Sequence, residues 1–205
     1  MLPYAAKNLV PKFNPNSKIP IVVKDIIKDV LKNPVSIRNQ FNKSSNNNFI
    51  KQISAYNNKK HVCLYEHTEE KALNNYFENY KENKILWEKT PFSRKREIFL
   101  KAADLIEYKY YNQMLAYTIV GQNKNIYEAE IDAICELADF LRFNVQYAEE
   151  IITKQPLNSL SFDHTNNSEY NSLNGYVASI TPFNFTAIGA NLASAPLLFG
   201  NSVLW

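Results

Sequence analysis

Two side chains stand where their types and neighbours could do chemistry. Asn184 lies in the run ITPFNF (Ile180–Phe185), where an apolar stretch ends and a small-residue helix pattern begins. An Asn amide at such a place can donate to an oxyanion developing in an acyl-transfer-like step. It can equally serve as a cap for the helix that follows. Glu136 recurs with Phe140, Phe143 and Tyr147 at spacings of four, three and four, which puts the four on one helix face. An ionised carboxylate among aromatic rings needs a partner. The alternative is a surface glutamate beside rings that keep one edge wet.

The remaining reactive types do not assemble into a site. Cys63 and Cys135, the only two cysteines, are too few and too far apart for a disulfide framework, and neither has a Cys or His at metal-ligand spacing. His61 and His67 flank a strand pattern and His164 sits in a polar run, so no metal is expected. Both cysteines read as small buried hydrophobes, and their sparse use suits a reducing compartment. No G-x-G-x-x-G occurs, so a conventional dinucleotide fingerprint is absent.

The elements that must hold Asn184 and Glu136 can be read from periodicity. Gly175–Ile180 is a short, nearly continuous apolar run, the pattern of a strand buried on both faces. Phe185–Phe199 reads as a helix rich in small residues, stopped at Gly200–Asn201, after which NSVLW resumes as a strand. Strand, helix, strand is one βαβ unit, and ligands collect at the carboxyl end of its first strand. Thr181, Pro182, Phe183 and Asn184 fall there.

Glu136 belongs to the longest helical signal, Ala129–Ile152. Its other face carries Ile131, Ile134, Cys135, Ala138, Leu141, Val145 and Ala148, so the helix is expected to be sandwiched between layers. Upstream, Lys60–Glu66 alternates as a strand, and Thr68 is a candidate N-cap for a helix with the stripe Leu73, Tyr76, Phe77, Tyr80. A further helix follows Pro91, with Ser93 as its cap and Ile98, Phe99, Ala102, Leu105 and Ile106 on one side. Another spans Met114–Val120 and ends at Gly121.

The chain divides into 1–58, a peripheral and partly low-complexity stretch with the Asn-rich run NKSSNNNF; 59–152, a strand and helices; 153–174, a polar hairpin or flap with the alternating piece NSLSF; and 175–205, the βαβ unit. With 45% apolar and 21% charged residues and a net charge of +3, the chain suits a folded protein and presents no electrostatic case for nucleic acid. No run of eighteen apolar residues marks a membrane span. The first twenty residues carry three lysines and no acid, as a transit peptide does, but also four prolines and no arginine.

The segment ITPFNFTAIGANLASAPLLFGNSVLW, with REIFLKAADLIE (Arg96–Glu107), IVGQNKN (Ile119–Asn125) and AEIDAICELADFLRFNVQYA (Ala129–Ala148), resembles the aldehyde dehydrogenase superfamily. Within it, the blocks are similar to the branch acting on Δ1-pyrroline-5-carboxylate, from about Lys60 onwards. The resemblance implies an α/β fold: a helical layer, part of an oligomerisation hairpin at 153–174, and the first βαβ unit of a Rossmann-like NAD domain. It implies NAD-dependent oxidation of glutamate γ-semialdehyde to glutamate in proline breakdown, with homo-oligomers and a mitochondrial matrix location, the cytoplasm being the alternative.

By position in the motif, Asn184 matches the oxyanion donor, and Thr181, Pro182 and Phe183 lie along the cofactor. Phe185 matches a residue against the substrate's aliphatic part, and Glu136 the partner of its α-ammonium group. The family's nucleophilic cysteine, its water-activating glutamate and a lysine following the Trp205 position have no counterpart here. The expectation is therefore an N-terminal portion that is inactive alone. A non-catalytic binding or assembly module, and another branch with a different aldehyde, are the competing readings.

Overall fold

The computed structural model describes residues 6–38, 49–157 and 164–205. Helix α1 (Ile19–Lys32) starts with Pro20 in its first turn, where a missing N–H costs nothing. Val23 and Val30, two turns apart, bury one face of it against α4 (Tyr111–Gln122) and β3 (His61–Glu66). The stretch 1–58 thus contributes core residues. Strand β3 is the centre of a three-stranded sheet, pairing in parallel with β1 (Val35–Ile37) and antiparallel with β2 (Phe49–Ile53). The expected strand at Lys60–Glu66 is therefore present.

Helices α2 (Glu70–Glu88) and α3 (Phe92–Asp104) follow. Their starts differ from the sequence expectation: Glu69 and Pro91 occupy the capping positions, and Ser93 lies inside α3. Ile98, expected in the core stripe, is exposed, whereas Phe99 and Ala103 are buried. A wider turn, Leu105–Lys109, links α3 to α4. Helix α4 runs through Gly121 and ends where Asn123 adopts φ +57°, a left-handed conformation that Asn tolerates better than most residues. Gly121 is thus not the stop; the conformation that ends the helix belongs to the Asn two residues on.

The long helical signal is observed as three consecutive parts: α5 (Ile126–Glu130), a wide π-turn (Ile131–Glu136) and α6 (Leu137–Thr153). Asn125 starts it with a full capping box: its side chain accepts from the N–H groups of Tyr127 and Glu128, and the Glu128 carboxylate accepts the Asn125 N–H. Ala138, Leu141, Val145 and Ala148 pack on Phe99, Ala103, Ala187 and Leu198, which makes α6 the spine of the main core. Ile131 does not join that core and is exposed.

Strand β4 (Tyr176–Ala178) pairs in parallel with β5 (Ser202–Leu204) across α7 (Thr186–Ser194) and a short 3-10 turn (Ala195–Phe199). The βαβ order is as expected. The expected burial on both faces is not: Tyr176 is exposed and Ile180 is 94% exposed. Among the described residues this sheet has two strands. Tyr176 instead packs edge-on or tilted among Tyr76, Phe77 and Tyr80 of α2. The described parts of 153–174 form no helix or strand beyond the end of α6, and NSLSF lies outside the described residues.

Candidate functional site at the carboxyl end of strand β4

After β4 the backbone turns through Thr181–Phe185 and enters α7. Trp205, just past β5, donates its Nε1–H to the Thr181 hydroxyl at 3.2 Å, tying the turn to the neighbouring strand. A β-carbon at Gly189 would stand 3.9 Å from both Thr181 Cβ and the Pro182 carbonyl oxygen, ordinary contact, so the turn packs down on the first full turn of the helix. Beyond that anchored base the next side chains point outwards. Phe183 is 93% exposed and Asn184 is exposed.

The start of α7 is held by residues that pattern alone did not single out. Asp132, buried in the π-turn, accepts the Thr186 N–H at 3.0 Å on one carboxylate oxygen and the Ala187 N–H at 2.9 Å on the other. These are two of the four N–H groups a helix start leaves unpaired. Hydrogen bonds to a charged acceptor are worth roughly 1.5–3 kcal/mol each, so this is a strong tertiary cap. Lys124 balances the charge, 2.6 Å from Asp132, and its ammonium lies 4.3 Å from the centre of the Phe185 ring. Gln122 donates to the Thr186 hydroxyl at 2.8 Å, and Thr118 shares a hydrogen bond with it at 3.2 Å.

Glu136 lies one turn beyond Asp132, about 6 Å along the same helix. It lines an open cleft of about 600 Å³ with Asn8, Asp139, Phe140, Phe143, Asn144, Tyr147 and Asn191 of α7. Asn144 donates to Asn191 at 2.7 Å and ties the middle of α6 to α7. The second face of the long helix is therefore not sandwiched among the described residues; it forms the wall of a cleft. Asp139 accepts the Leu9 N–H there, and burial, only partly offset by that hydrogen bond, pushes its carboxyl above the ordinary range. A second cleft of about 530 Å³ reaches Phe183 and Thr186 on one side and Cys63, Tyr117 and Gln122 on the other.

The structure thus joins Thr181–Phe185 in one anchored turn and sets Glu136 on the helix that braces it. Asp132 and Lys124 escaped the sequence reading because their partners are remote or mixed: Asp132 meets amides 54 and 55 positions away. A signal was present, since Asp132 is a second acid one turn before Glu136 in an otherwise apolar run.

No cluster of metal ligands occurs among the described residues. The turn exposes Ile180 and Phe183, an apolar surface open to a flat cofactor ring. It does not fit a pyrophosphate seated on the α7 N-terminus, because Asp132 already takes two of the N–H groups there.

A parallel βαβ unit with an exposed Asn in its first turn, braced by a long helix with a glutamate on a cleft wall, defines a class. The chain belongs to the aldehyde dehydrogenase family: the model described as "Aldehyde dehydrogenase family" matches residues 41–205. More particularly, it is 47% identical over 155 residues to the mitochondrial delta-1-pyrroline-5-carboxylate dehydrogenase of Dictyostelium discoideum, covering 76% of this chain and 28% of that protein. The mitochondrial enzyme of the same name from Homo sapiens is 44% identical over 154 residues, covering 75% of this chain and 27% of that one. A crystal structure of the Mycobacterium tuberculosis Delta-pyrroline-5-carboxylate dehydrogenase bound with NAD superposes with a TM-score of 0.90 at 31% identity, over 100% of this chain and 38% of that chain. The chain therefore spans well under half the length of these relatives.

Proposed function

We propose that these residues form the substrate-facing part of an NAD-dependent dehydrogenase that oxidises L-glutamate γ-semialdehyde to L-glutamate in proline breakdown. One observation carries the reading: Glu136 faces an aromatic-walled cleft beside α7, a site suited to an α-ammonium group. The relatives' names support the same chemistry.

In this reading the Asn184 amide donates to the oxyanion that forms when a thiolate adds to the aldehyde, stabilising charge where it develops. Phe185, clamped beneath Lys124, packs against the aliphatic part of the substrate. Glu136 takes the α-ammonium end, which fixes the distance from that charge to the reacting carbonyl. Thr181, Pro182 and Phe183 line the cofactor side of the turn. NAD, when bound, supplies the hydride acceptor.

The residues form part of a homo-oligomer with the 153–174 segment at its interface, and the protein acts in the mitochondrial matrix, as the names of several relatives suggest. The test is substitution in a dehydrogenase carrying these 205 residues. Asn184→Ala should lower kcat about 10²–10³-fold. Glu136→Ala should erase the preference for the amino-acid semialdehyde over a simple aldehyde. An unchanged preference in the Glu136→Ala enzyme would overturn the substrate assignment.

A further inference from the structure

We propose that Asp132 and Lys124 are the positioning pair of the oxyanion turn, holding Asn184, Phe185 and the start of α7 as one unit. The claim rests on the dehydrogenase reading for its function but on geometry for its substance. Each Asp132 oxygen has its own backbone donor, Thr186 N–H at 3.0 Å and Ala187 N–H at 2.9 Å. Two separate acceptors on one buried carboxylate fix both the position and the tilt of the helix start. The bond to Thr186 leaves a single residue between the anchor and Asn184, so the anchor sets where the Asn184 backbone emerges.

Lys124 contributes twice. Its ammonium, 2.6 Å from Asp132, neutralises a carboxylate that has little access to water. The same ammonium covers the Phe185 ring at 4.3 Å, within the range of cation–π attraction, and so restrains the side chain next to Asn184. Lys124 is itself mostly withdrawn from solvent, which strengthens both contacts.

The arrangement also decides which group meets a developing negative charge. A helix start ordinarily offers its free N–H groups and a partial positive charge to an anion. Here Asp132 consumes two of those donors, and Lys124 returns the local charge to near neutrality. The side-chain amide of Asn184 is left as the donor that faces outwards. Asp132 and Lys124 act through Asn184 and Phe185 and touch no reacting atom.

The experiment is amide hydrogen exchange and backbone relaxation by NMR on the 205-residue chain, comparing wild type, Asp132→Asn, Lys124→Met and Lys124→Arg. Asp132→Asn keeps the shape but turns one acceptor into a donor facing an N–H group. Protection at Thr186 and Ala187 should fall about tenfold or more, and order at Asn184 and Phe185 should drop, while core amides such as Leu115 and Val145 keep theirs. Lys124→Met should loosen Phe185, and Lys124→Arg, which keeps charge and ring contact, should restore it. Unchanged order at Asn184 and Phe185 in Asp132→Asn would overturn the proposal. Should that variant fail to fold, Lys124→Met decides alone, with a Phe185 as ordered as in wild type counting against it.

In a dehydrogenase carrying these residues, Asp132→Asn should reduce kcat about tenfold while leaving the KM for NAD within about twofold. A wild-type enzyme that does not oxidise the semialdehyde would sink the functional reading. The exchange experiment would still decide the positioning claim.

Discussion

At the scale of single residues, the two cysteines differ in depth. Cys135 is buried on the core stripe of the long helix, and burial first, then the charges of Glu130 and Asp139, push its thiol up to about 11. At neutral pH only ~10⁻⁴ of such a group is thiolate, the form that attacks carbonyls. Cys63 is half-buried on β3 beside the cleft that reaches Phe183, and burial raises its thiol as well. Lys12 pulls the Cys135 thiol the other way, but too weakly to offset burial and the two acids. Of the two expected small buried hydrophobes, Cys135 is buried and Cys63 only half so. Disulfide-exchange labelling of the native chain at mildly alkaline pH should therefore show one accessible thiol, Cys63, with Cys135 reacting only on unfolding. Two equally fast phases, or a fast phase that survives Cys63→Ser, would contradict this account.

At the scale of elements, two glycines make a paired test. Gly200 ends the 3-10 turn after α7 with φ +79°, and a β-carbon there would lie 3.1 Å from Glu88 Cα. Gly200→Ala should cost about 1–2 kcal/mol for the left-handed backbone alone, with more for the displaced α2 terminus. Gly121 lies inside α4 with open space around its missing side chain. Gly121→Ala should stabilise by up to about 1 kcal/mol, because Ala loses less backbone entropy in a helix. Thermal unfolding of the two variants should move in opposite directions.

The same pair shows what the sequence could reveal. The stop at Gly200, the βαβ order and the long helix through Glu136 were legible because local backbone preference and tertiary structure agree there. Gly121 misled because Asn123 supplied the left-handed residue instead. The strand at Tyr176–Ala178 was found, but its burial was not, since an apolar run does not say whether a covering layer is present. Glu136 was found as a carboxylate among rings. Asp132 left only the hint of a second acid one turn earlier, and the roles of Asp132 and Lys124 depend on amides and a ring that only the fold brings near.

At the scale of the whole molecule, amide and acidic side chains bind an N-terminal strap, residues 6–13, to the helical layer. Along the strap, Ala6, Leu9 and Phe13 donate their N–H groups to Gln146, Asp139 and Glu130, so the strap runs antiparallel to the long helix. Glu107 closes the network: it is buried, accepts Lys12 Nζ at 2.5 Å, and pairs with buried Arg142 at 2.8 Å, whose guanidinium also reaches Asp104 at 2.9 Å. Burial works against ionisation of Glu107, yet the hydrogen bonds from Lys12 and Arg142 outweigh it and hold the carboxyl below the usual range.

A carboxylate lowered on folding binds protons more readily in the unfolded chain, so its contribution is fully present above about pH 4.3. It is lost as the pH falls through the lower folded value. Asp139, raised by burial, pulls the other way over part of the same range, so the Glu107 effect is read from a difference between variants. Glu107→Gln removes the buried charge that Arg142 and Lys12 share and should cost roughly 3 kcal/mol at neutral pH. That deficit should shrink as denaturant unfolding is repeated from about pH 7 downwards, through the lowered folded value at which wild type loses the same charge. A deficit that stays constant across that range would mean that Glu107 stabilises the strap by packing alone, not by its ionised bridge to Arg142.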